Sequence, residues 1–164
     1  MLTKNMQEAL NEQIKNEISS AYIYLSMSAF CEAENLPGFA KWLRVQWQEE
    51  LEHGLKMVDS VAERGGVVLL QAIEKPAAKW KSPLDVFEHV LAHEQKVTAS
   101  IHRLYEVALR EKDYPSQVML QWFISEQVEE EKNVTEIIEL MKMAGNSGPS
   151  LLMMDRQLGM RAKG

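Results

Sequence analysis

Residues 39–61, FAKWLRVQWQEELEHGLKMVDSV, decide the fold of this 164-residue chain. Placed at about 100° per residue, the apolar side chains between Phe39 and Val61 form one stripe, which predicts a long amphipathic helix. Glu50 lies at the centre of that stripe, and His53 follows one turn later at its edge. An ionised carboxylate in a core is costly, so other segments of the chain must supply partners for it.

Gly and Pro residues divide the rest of the chain into similar segments. They predict long helices over about residues 5–33, 38–64, 83–112 and 115–144, with a short fifth helix over 149–160. The first two helices are joined by only a few residues, as are the last two, so each pair forms an antiparallel hairpin. The connection from Gly65 to Ser82 has about 18 residues, enough to cross the bundle from end to end. We therefore predict an all-α four-helix bundle with a long crossover between helices 2 and 3, in a single domain over residues 1–164.

Composition excludes several classes of protein. The apolar content of 46% is that of a globular chain, and no apolar run reaches the ~18 residues of a membrane span. One cysteine, Cys31, excludes an internal disulfide, and the N-terminal segment lacks the apolar core of a signal peptide. A net charge of −6, from 18 basic and 24 acidic residues, disfavours nucleic acid as a partner. We expect a cytoplasmic protein whose excess carboxylates serve solubility or hold cations.

Every long helix places one glutamate in its apolar stripe. The four are Glu17, Glu50, Glu94 and Glu130, and each lies within about a turn of its helix midpoint, so we expect them to converge at one depth. No Lys or Arg falls in these stripes. Four buried carboxylates would repel one another, whereas bound cations would neutralise them. Carboxylate oxygens with one imidazole, from His53, suit iron, manganese or zinc.

Alternatives remain open for the individual residues. A lone Glu-x-x-His pattern is common, and one buried glutamate is more often paired with a basic side chain. Tyr24 shares the stripe of the first helix and is equally consistent with a core tyrosine. His89 and His93 have the i, i+4 spacing of a possible metal pair but point away from the apolar arc, so we predict that they are surface or interface histidines. A metal-free interaction bundle is one function that the residues leave open.

Glu17, Glu50-x-x-His53, Glu94 and Gln127-x-x-Glu130, on four helices with a long crossover, resemble the ferritins, and the bacterial non-haem type in particular. The resemblance covers essentially the whole chain. It implies that Glu17, Glu50 and His53 hold a first iron, and that Glu50 bridges to a second iron held by Glu94 and Glu130, with Gln127 close by. It also assigns Glu49, Glu126 and Glu129 to an accessory third metal site, although a solvated charged edge is an equally good interpretation of those three.

The ferritin resemblance also implies an activity and an assembly. It implies iron storage by a ferroxidase, which oxidises Fe²⁺ with O₂ or H₂O₂ and deposits ferric mineral inside a cage of 24 copies. Tyr24 would then hydrogen-bond a ligand or lend an electron. Glu52 stands where the bacterioferritin branch carries its haem-binding methionine, so we expect no haem. In ferritins a fifth helix meets its symmetry mates, which gives one role to the apolar tail residues 151–154; packing on their own bundle is the other.

One position departs from the symmetrical di-iron motif. That motif carries Glu-x-x-His twice, but here Asn133 follows Glu130 by three residues. We expect the second iron to be held weakly and to pass through rather than stay as a cofactor. An enzyme that keeps its di-iron pair should prefer the fuller ligand set. The sequence therefore favours storage over the alternative, a di-iron oxidoreductase or peroxidase without a storage role.

Overall fold

The computed structural model describes residues 1–162, and within them it contains five α-helices and no strand. They are α1 (Lys4–Ala33), α2 (Pro37–Glu63), α3 (Pro83–Arg110), α4 (Tyr114–Ala144) and α5 (Gly148–Gly159). The predicted all-α architecture, with its long crossover and short fifth helix, is confirmed. None of these helices combines the length and apolar content that crossing a membrane requires.

Short polar side chains determine where four of the helices begin. Thr3, Ser82, Asp113 and Ser147 each precede a helix, and the side-chain oxygen of each accepts a hydrogen bond of 3.1–3.3 Å from a backbone N–H three residues later. These caps satisfy N–H groups that have no partner inside the helix. Pro115 lies in the first turn of α4, where no helical hydrogen bond is lost. The helix therefore begins at Tyr114, one residue before the predicted start at Pro115.

The two hairpin turns each contain a residue with left-handed backbone geometry. Asn35 has φ 60° and Lys112 has φ 54°, and each follows the end of a helix. This conformation reverses the chain, and because Lys112 adopts it, α3 ends two residues earlier than predicted. Arg64 follows α2 and donates a hydrogen bond of 2.8 Å to Asp113, which ties the end of one hairpin to the turn of the other.

The crossover between α2 and α3 lies along α1. The side-chain amide of Asn11 donates to the carbonyl oxygen of Val67 at 2.9 Å and accepts from the N–H of Leu69 at 2.8 Å. Further along α1, the hydroxyl of Ser26 donates to the carbonyl oxygen of Ala77 at 2.6 Å. Fifteen residues of helix span about 22 Å, so these contacts hold the crossover along half of the 30-residue α1.

Helix α5 docks on the start of α2. Oδ1 of Asp155 accepts hydrogen bonds from the backbone N–H groups of Gly38, at 2.8 Å, and Phe39, at 3.0 Å. A carboxylate at this position caps a helix that has no cap of its own. A Cβ on residue 38 would lie 1.7 Å from the carbonyl oxygen of Asp155, so only glycine permits this approach.

The apolar tail divides between two environments. Met154 and Leu158 are buried against the bundle, so this side of the tail packs on its own chain. Leu152 and Met153 point outward and stay more than half exposed, at 59% and 55%. The outward-facing side chains thus form an apolar surface that residues 1–162 leave exposed.

The core consists of two apolar clusters. One includes Phe39, Leu43, Phe87 and Val134, and the other includes Ile14, Met57, Ile101 and Phe123. Along each of the four long helices, the buried glutamate lies between residues of one cluster and residues of the other. A polar layer therefore crosses the middle of the bundle.

Candidate metal centre

Glu17 of α1 and Glu50 and His53 of α2 form the first half of the polar layer. Nδ1 of His53 lies 3.5 Å from Oε2 of Glu50 and 3.9 Å from Oε2 of Glu17. The three ligand atoms lie within 4.8 Å of one another, and all three side chains are buried. Two carboxylate oxygens and one imidazole nitrogen at this separation can bind a common cation.

The two glutamates that face His53 each have one oxygen held and one oxygen without a partner. Gln13 donates to Oε1 of Glu17 at 2.8 Å, and Gln46 donates to Oε1 of Glu50 at 3.2 Å. Oε2 of each glutamate is buried and meets no hydrogen-bond donor among residues 1–162. Buried polar atoms almost always have partners, so two such oxygens beside one imidazole indicate a site for a cation.

Aromatic rings hold His53 in place. The imidazole meets the rings of Trp122 and Phe123 at near-right angles, with centroids 5.4 and 5.8 Å away. Edge-to-face packing of this kind restricts rotation of the ring, so Nδ1 stays directed at the carboxylates. Trp122 therefore packs directly on a candidate ligand.

Glu94 of α3 begins the second half of the polar layer. It is fully buried and accepts hydrogen bonds from Tyr24 on one carboxylate oxygen and from Gln127, at 3.0 Å, on the other. Gln127 also donates to the backbone oxygen of Glu94 at 3.2 Å. Tyr24 and Gln127 thus position Glu94 from α1 and α4, and the Tyr24 hydroxyl is the satisfied hydroxyl that a core tyrosine needs.

Glu130 of α4 completes the polar layer. It is 7% exposed, and Oε2 accepts a hydrogen bond of 2.9 Å from Gln46, whose other acceptor is Glu50. One amide nitrogen therefore connects carboxylates of the two halves. Among the described residues, only Glu17, Glu50 and His53 form a group of three acidic, histidine or cysteine ligands within 4.8 Å.

Burial and mutual repulsion change the acidity of these groups. Burial raises the pKa of Glu17 and of Glu50 well above the ordinary value, and the neighbouring carboxylates raise both further. Burial, followed by the charge of Glu94, raises the pKa of Glu130 to about 7. Burial also raises the pKa of Glu94, against the lowering effect of its hydrogen bonds. A bound cation would offset the desolvation and the repulsion together.

A cleft of about 600 Å³ opens beside the centre, between α2 and α4. Its acidic lining residues are Glu49, Glu52, Glu126, Glu129 and Glu130, and His53 also reaches it. We call it the acidic cleft. It brings together the three residues assigned by resemblance to an accessory site, and Glu129 among them is exposed. Glu49 is in addition paired with Arg161, whose Nη2 lies 2.7 Å from its Oε2.

Sequence reasoning missed three side chains that hold the candidate ligands. Gln13, Gln46 and Arg161 lie outside the glutamate pattern, yet the two glutamines donate to Glu17 and Glu50. A repeated signal was present, because each glutamine precedes its glutamate by four residues and so faces the same side of the helix. No local signal marked Arg161, which reaches α2 from beyond α5.

Two other predictions have different outcomes. His89 is exposed, as predicted, but His93 is only partly exposed, and its Nε2 lies 2.8 Å from the Ser20 hydroxyl. His93 therefore lies at the interface between α1 and α3, because α1 packs over this side of α3 and partly covers the ring. Burial lowers the pKa of His93 to about 4. Cys31 is fully buried, and burial raises the pKa of its thiol to about 12, as expected of a core residue.

Comparisons of sequence and of structure with known proteins point to the same family. The sequence-family model of the ferritin-like domain matches residues 7–144. A bacterial non-heme ferritin of Bacteroides fragilis (strain 638R) is 41% identical over 161 residues, which cover 98% of this chain and 100% of that protein. A bacterial non-heme ferritin of Escherichia coli O6:H1 is 37% identical over 158 residues, with 96% of each chain covered.

Solved structures include close neighbours from an archaeon. A closed form of the Archaeoglobus fulgidus ferritin, made by site-directed mutagenesis, matches with a TM-score of 0.97 and 49% identity over 99% of both chains. The open-pore ferritin of the same hyperthermophile matches with a TM-score of 0.96 and 49% identity over 98% of both chains. The family match over most of the chain, with relatives of this similarity, shows that the chain belongs to the ferritin family.

Proposed function

We propose that this protein stores iron, oxidising Fe²⁺ to Fe³⁺ at a two-ion centre within each subunit and depositing the ferric product as mineral inside a cage. Membership of the ferritin family and the names of the non-heme relatives support iron storage. Iron is here a substrate that enters, reacts and leaves the centre. We place the protein in the cytoplasm.

The observation that carries the proposal is the pair of unpartnered oxygens at the first half of the polar layer. Oε2 of Glu17 and Oε2 of Glu50 are buried with no hydrogen-bond donor among residues 1–162, at 3.9 and 3.5 Å from Nδ1 of His53. A metal-free core would have paired or eliminated such atoms. We assign the first Fe²⁺ to these three side chains.

The second Fe²⁺ would be held by Glu94 and Glu130, with Glu50 bridging the two ions and Gln127 close by. This half has no imidazole, because position 133 carries an exposed asparagine that lines the acidic cleft. A site with fewer strong ligands holds its ion less tightly. The asymmetry supports passage of iron through the centre, and thus storage rather than a permanent di-iron cofactor.

The ligands suit oxidation of iron. Two Fe²⁺ ions lose one electron each, and two electrons with two protons reduce O₂ to H₂O₂ or H₂O₂ to two waters. Hard anionic oxygens bind Fe³⁺ more strongly than Fe²⁺, so the glutamates favour the oxidised product. Burial raises the pKa of these glutamates, so an ion that binds them displaces any proton that they hold in the metal-free protein.

Tyr24 and the residues of the acidic cleft take supporting roles in the proposal. Tyr24 donates a hydrogen bond to Glu94 and so orients a ligand of the second ion. Glu49, Glu126 and Glu129 line the cleft beside Glu130, where they can receive a third ion. We assign them to transit of iron between the centre and the interior of the cage.

We propose a homo-oligomeric cage of 24 copies. The outward-facing apolar side chains of α5 support assembly, since Leu152 and Met153 are more than half exposed in the described part of the chain. The mass of the particle in solution tests this directly. We expect about 24 times the 18.8 kDa of one chain, and a monomer would contradict a cage.

Addition of Fe²⁺ to the metal-free protein in air tests the function. We expect ferric absorbance to develop and the particle to retain far more iron than two ions per subunit. Retention of only two ions per subunit would indicate the alternative, a di-iron oxidoreductase or peroxidase, and no retention would indicate an interaction bundle.

Variants of the first half test the assignment of the site. His53→Ala and Glu50→Ala should each slow oxidation by about 100-fold while circular dichroism shows the helices intact. Glu63→Ala, which removes an exposed glutamate from the same helix, is the matched control and should oxidise iron at the original rate. Unchanged kinetics in the first two variants would refute the assignment.

A further inference from the structure

Arg161 reaches back from beyond α5 to the middle of α2. Its guanidinium lies 4.2 Å from the centroid of the Trp42 ring, and its Nη1 donates to the carbonyl oxygen of Trp42 at 3.1 Å. Its Nη2 donates to Oε1 of Gln46 at 3.0 Å and to Oε2 of Glu49 at 2.7 Å. Four contacts from one planar group hold the guanidinium in a defined position.

The contact with Gln46 sets which end of that amide faces the metal centre. Gln46 is fully buried, and its amide has one oxygen, which accepts only, and one nitrogen, which donates only. Because the oxygen accepts from Arg161, the nitrogen must point to the opposite side. There it donates to Glu50 at 3.2 Å and to Glu130 at 2.9 Å.

The reversed amide would place an oxygen against two carboxylates. Oxygen facing oxygen is repulsive, and both glutamates would lose a hydrogen bond in a buried layer. Arg161 would then face the amide nitrogen of Gln46, which cannot accept its hydrogen bond. Arg161 therefore selects the one orientation of Gln46 that positions the bridging glutamate and Glu130.

We infer that Arg161 is a positioning residue for the metal centre, acting through Gln46 on Glu50 and Glu130. The inference rests on the proposed function, because it concerns ligands of the proposed two-ion site. It couples the segment that follows α5 to the chemistry at the middle of the bundle. The coupling concerns mainly the second ion, because Gln46 donates to Glu130 and to the bridging Glu50.

Zinc titration of the metal-free protein by calorimetry tests the inference without oxidation chemistry. The variants are Arg161→Met, which keeps the stem over Trp42, Gln46→Met, and the double variant. We expect each single variant to lower the affinity for the more weakly bound ion by about tenfold, and that of the tighter ion by less than about threefold. The double variant should lose no more than Gln46→Met alone, because both changes remove one pathway.

Two further variants complete the design. Arg44→Met is the matched control: Arg44 is exposed, lies over Trp47 of the same helix at 5.7 Å, and its loss changes the net charge equally. It should leave both affinities unchanged. Arg161→Lys should recover part of the affinity, since an ammonium can still donate to the Gln46 oxygen. If Arg161→Met does not fold, Arg161→Gln replaces it in the cycle.

The outcomes separate this inference from the proposed function. A fall in thermal stability with unchanged zinc affinities would show that Arg161 has a structural role only, and would overturn the inference. Additive losses in the double variant would also overturn it, because Arg161 would then act independently of Gln46. In either case the wild-type protein still binds two ions and the proposed function stands. Absence of zinc binding by the wild-type protein would overturn both.

Discussion

Oδ1 of Asp155 in α5 accepts a hydrogen bond of 2.8 Å from the backbone N–H of Gly38, at the first turn of α2. The helices meet so closely that a Cβ on Gly38 would lie 1.7 Å from the carbonyl oxygen of Asp155. One contact therefore caps α2 and fixes α5, and it also determines where the chain emerges toward Arg161.

The substitution Gly38→Ala should detach α5 from the bundle. The added methyl group cannot be accommodated without separating two backbones, so we expect a loss of about 2 kcal/mol or more in the free energy of unfolding. Hydrogen exchange should accelerate in α5 and leave α1 and α3 unaffected. Gly148→Ala is the matched control, because a Cβ there meets nothing within 4 Å. Equal stability of the two variants would contradict the close approach.

The helices and the buried glutamates were predictable because local rules dictate both. Helix ends follow from caps, prolines and glycines, and the burial of Glu17 follows from its place in a periodic apolar stripe. Those signals lie within one turn of the residue concerned. They therefore survive in the sequence without any knowledge of which helices are neighbours.

Contacts across the bundle were not predictable in the same way. Arg161 meets Glu49 over a separation of 112 residues, and no periodicity relates the two positions. The covering of His93 by Ser20 depends likewise on how α1 packs against α3. Gln46 is intermediate, since its spacing from Glu50 was readable but its second acceptor, Glu130, depends on the approach of α4.

Removal of the Tyr24 hydroxyl tests how Glu94 is positioned. Tyr24→Phe deletes one of the two side-chain donors to this buried carboxylate, and Gln127 remains as the other. We expect about tenfold weaker binding of the second ion and slower oxidation of iron, with the first ion unaffected. Tyr22→Phe removes a hydroxyl from the exposed neighbour on the same helix and should change neither quantity. Slower oxidation with unchanged affinities would instead favour electron donation by Tyr24.

Replacement of Glu50 by glutamine should separate stability from function. Glu50→Gln replaces a buried carboxyl by a neutral amide. Burial and Glu94 raise the pKa of that carboxyl. We expect the metal-free variant to melt at a higher temperature than the original protein at pH 8, because repulsion in the polar layer is relieved. Stabilisation by zinc should fall sharply in the same variant. Glu63→Gln, which changes an exposed residue of α2, should alter the melting temperature of neither the metal-free nor the zinc-bound protein.

The buried carboxyls should make the metal-free protein less stable as the pH rises. Burial and Glu94 raise the pKa of Glu130 from the ordinary 4.5 to about 7, so the native state holds a proton that the unfolded chain has lost. Stability from this group is fully present below about pH 4.5 and is lost as the pH rises through 7. Glu17, Glu50 and Glu94 act in the same direction, since burial raises each pKa.

We therefore expect the melting temperature of the metal-free protein to fall between pH 5 and pH 8. The rise in melting temperature on addition of saturating zinc should become larger over the same pH range. The increase grows because an ion that displaces protons binds more tightly when fewer protons compete for the carboxylates. Glu130→Gln should flatten part of the slope, whereas Glu63→Gln should keep it. A melting temperature that rises with pH in the metal-free protein would contradict the raised pKa values of these carboxyls.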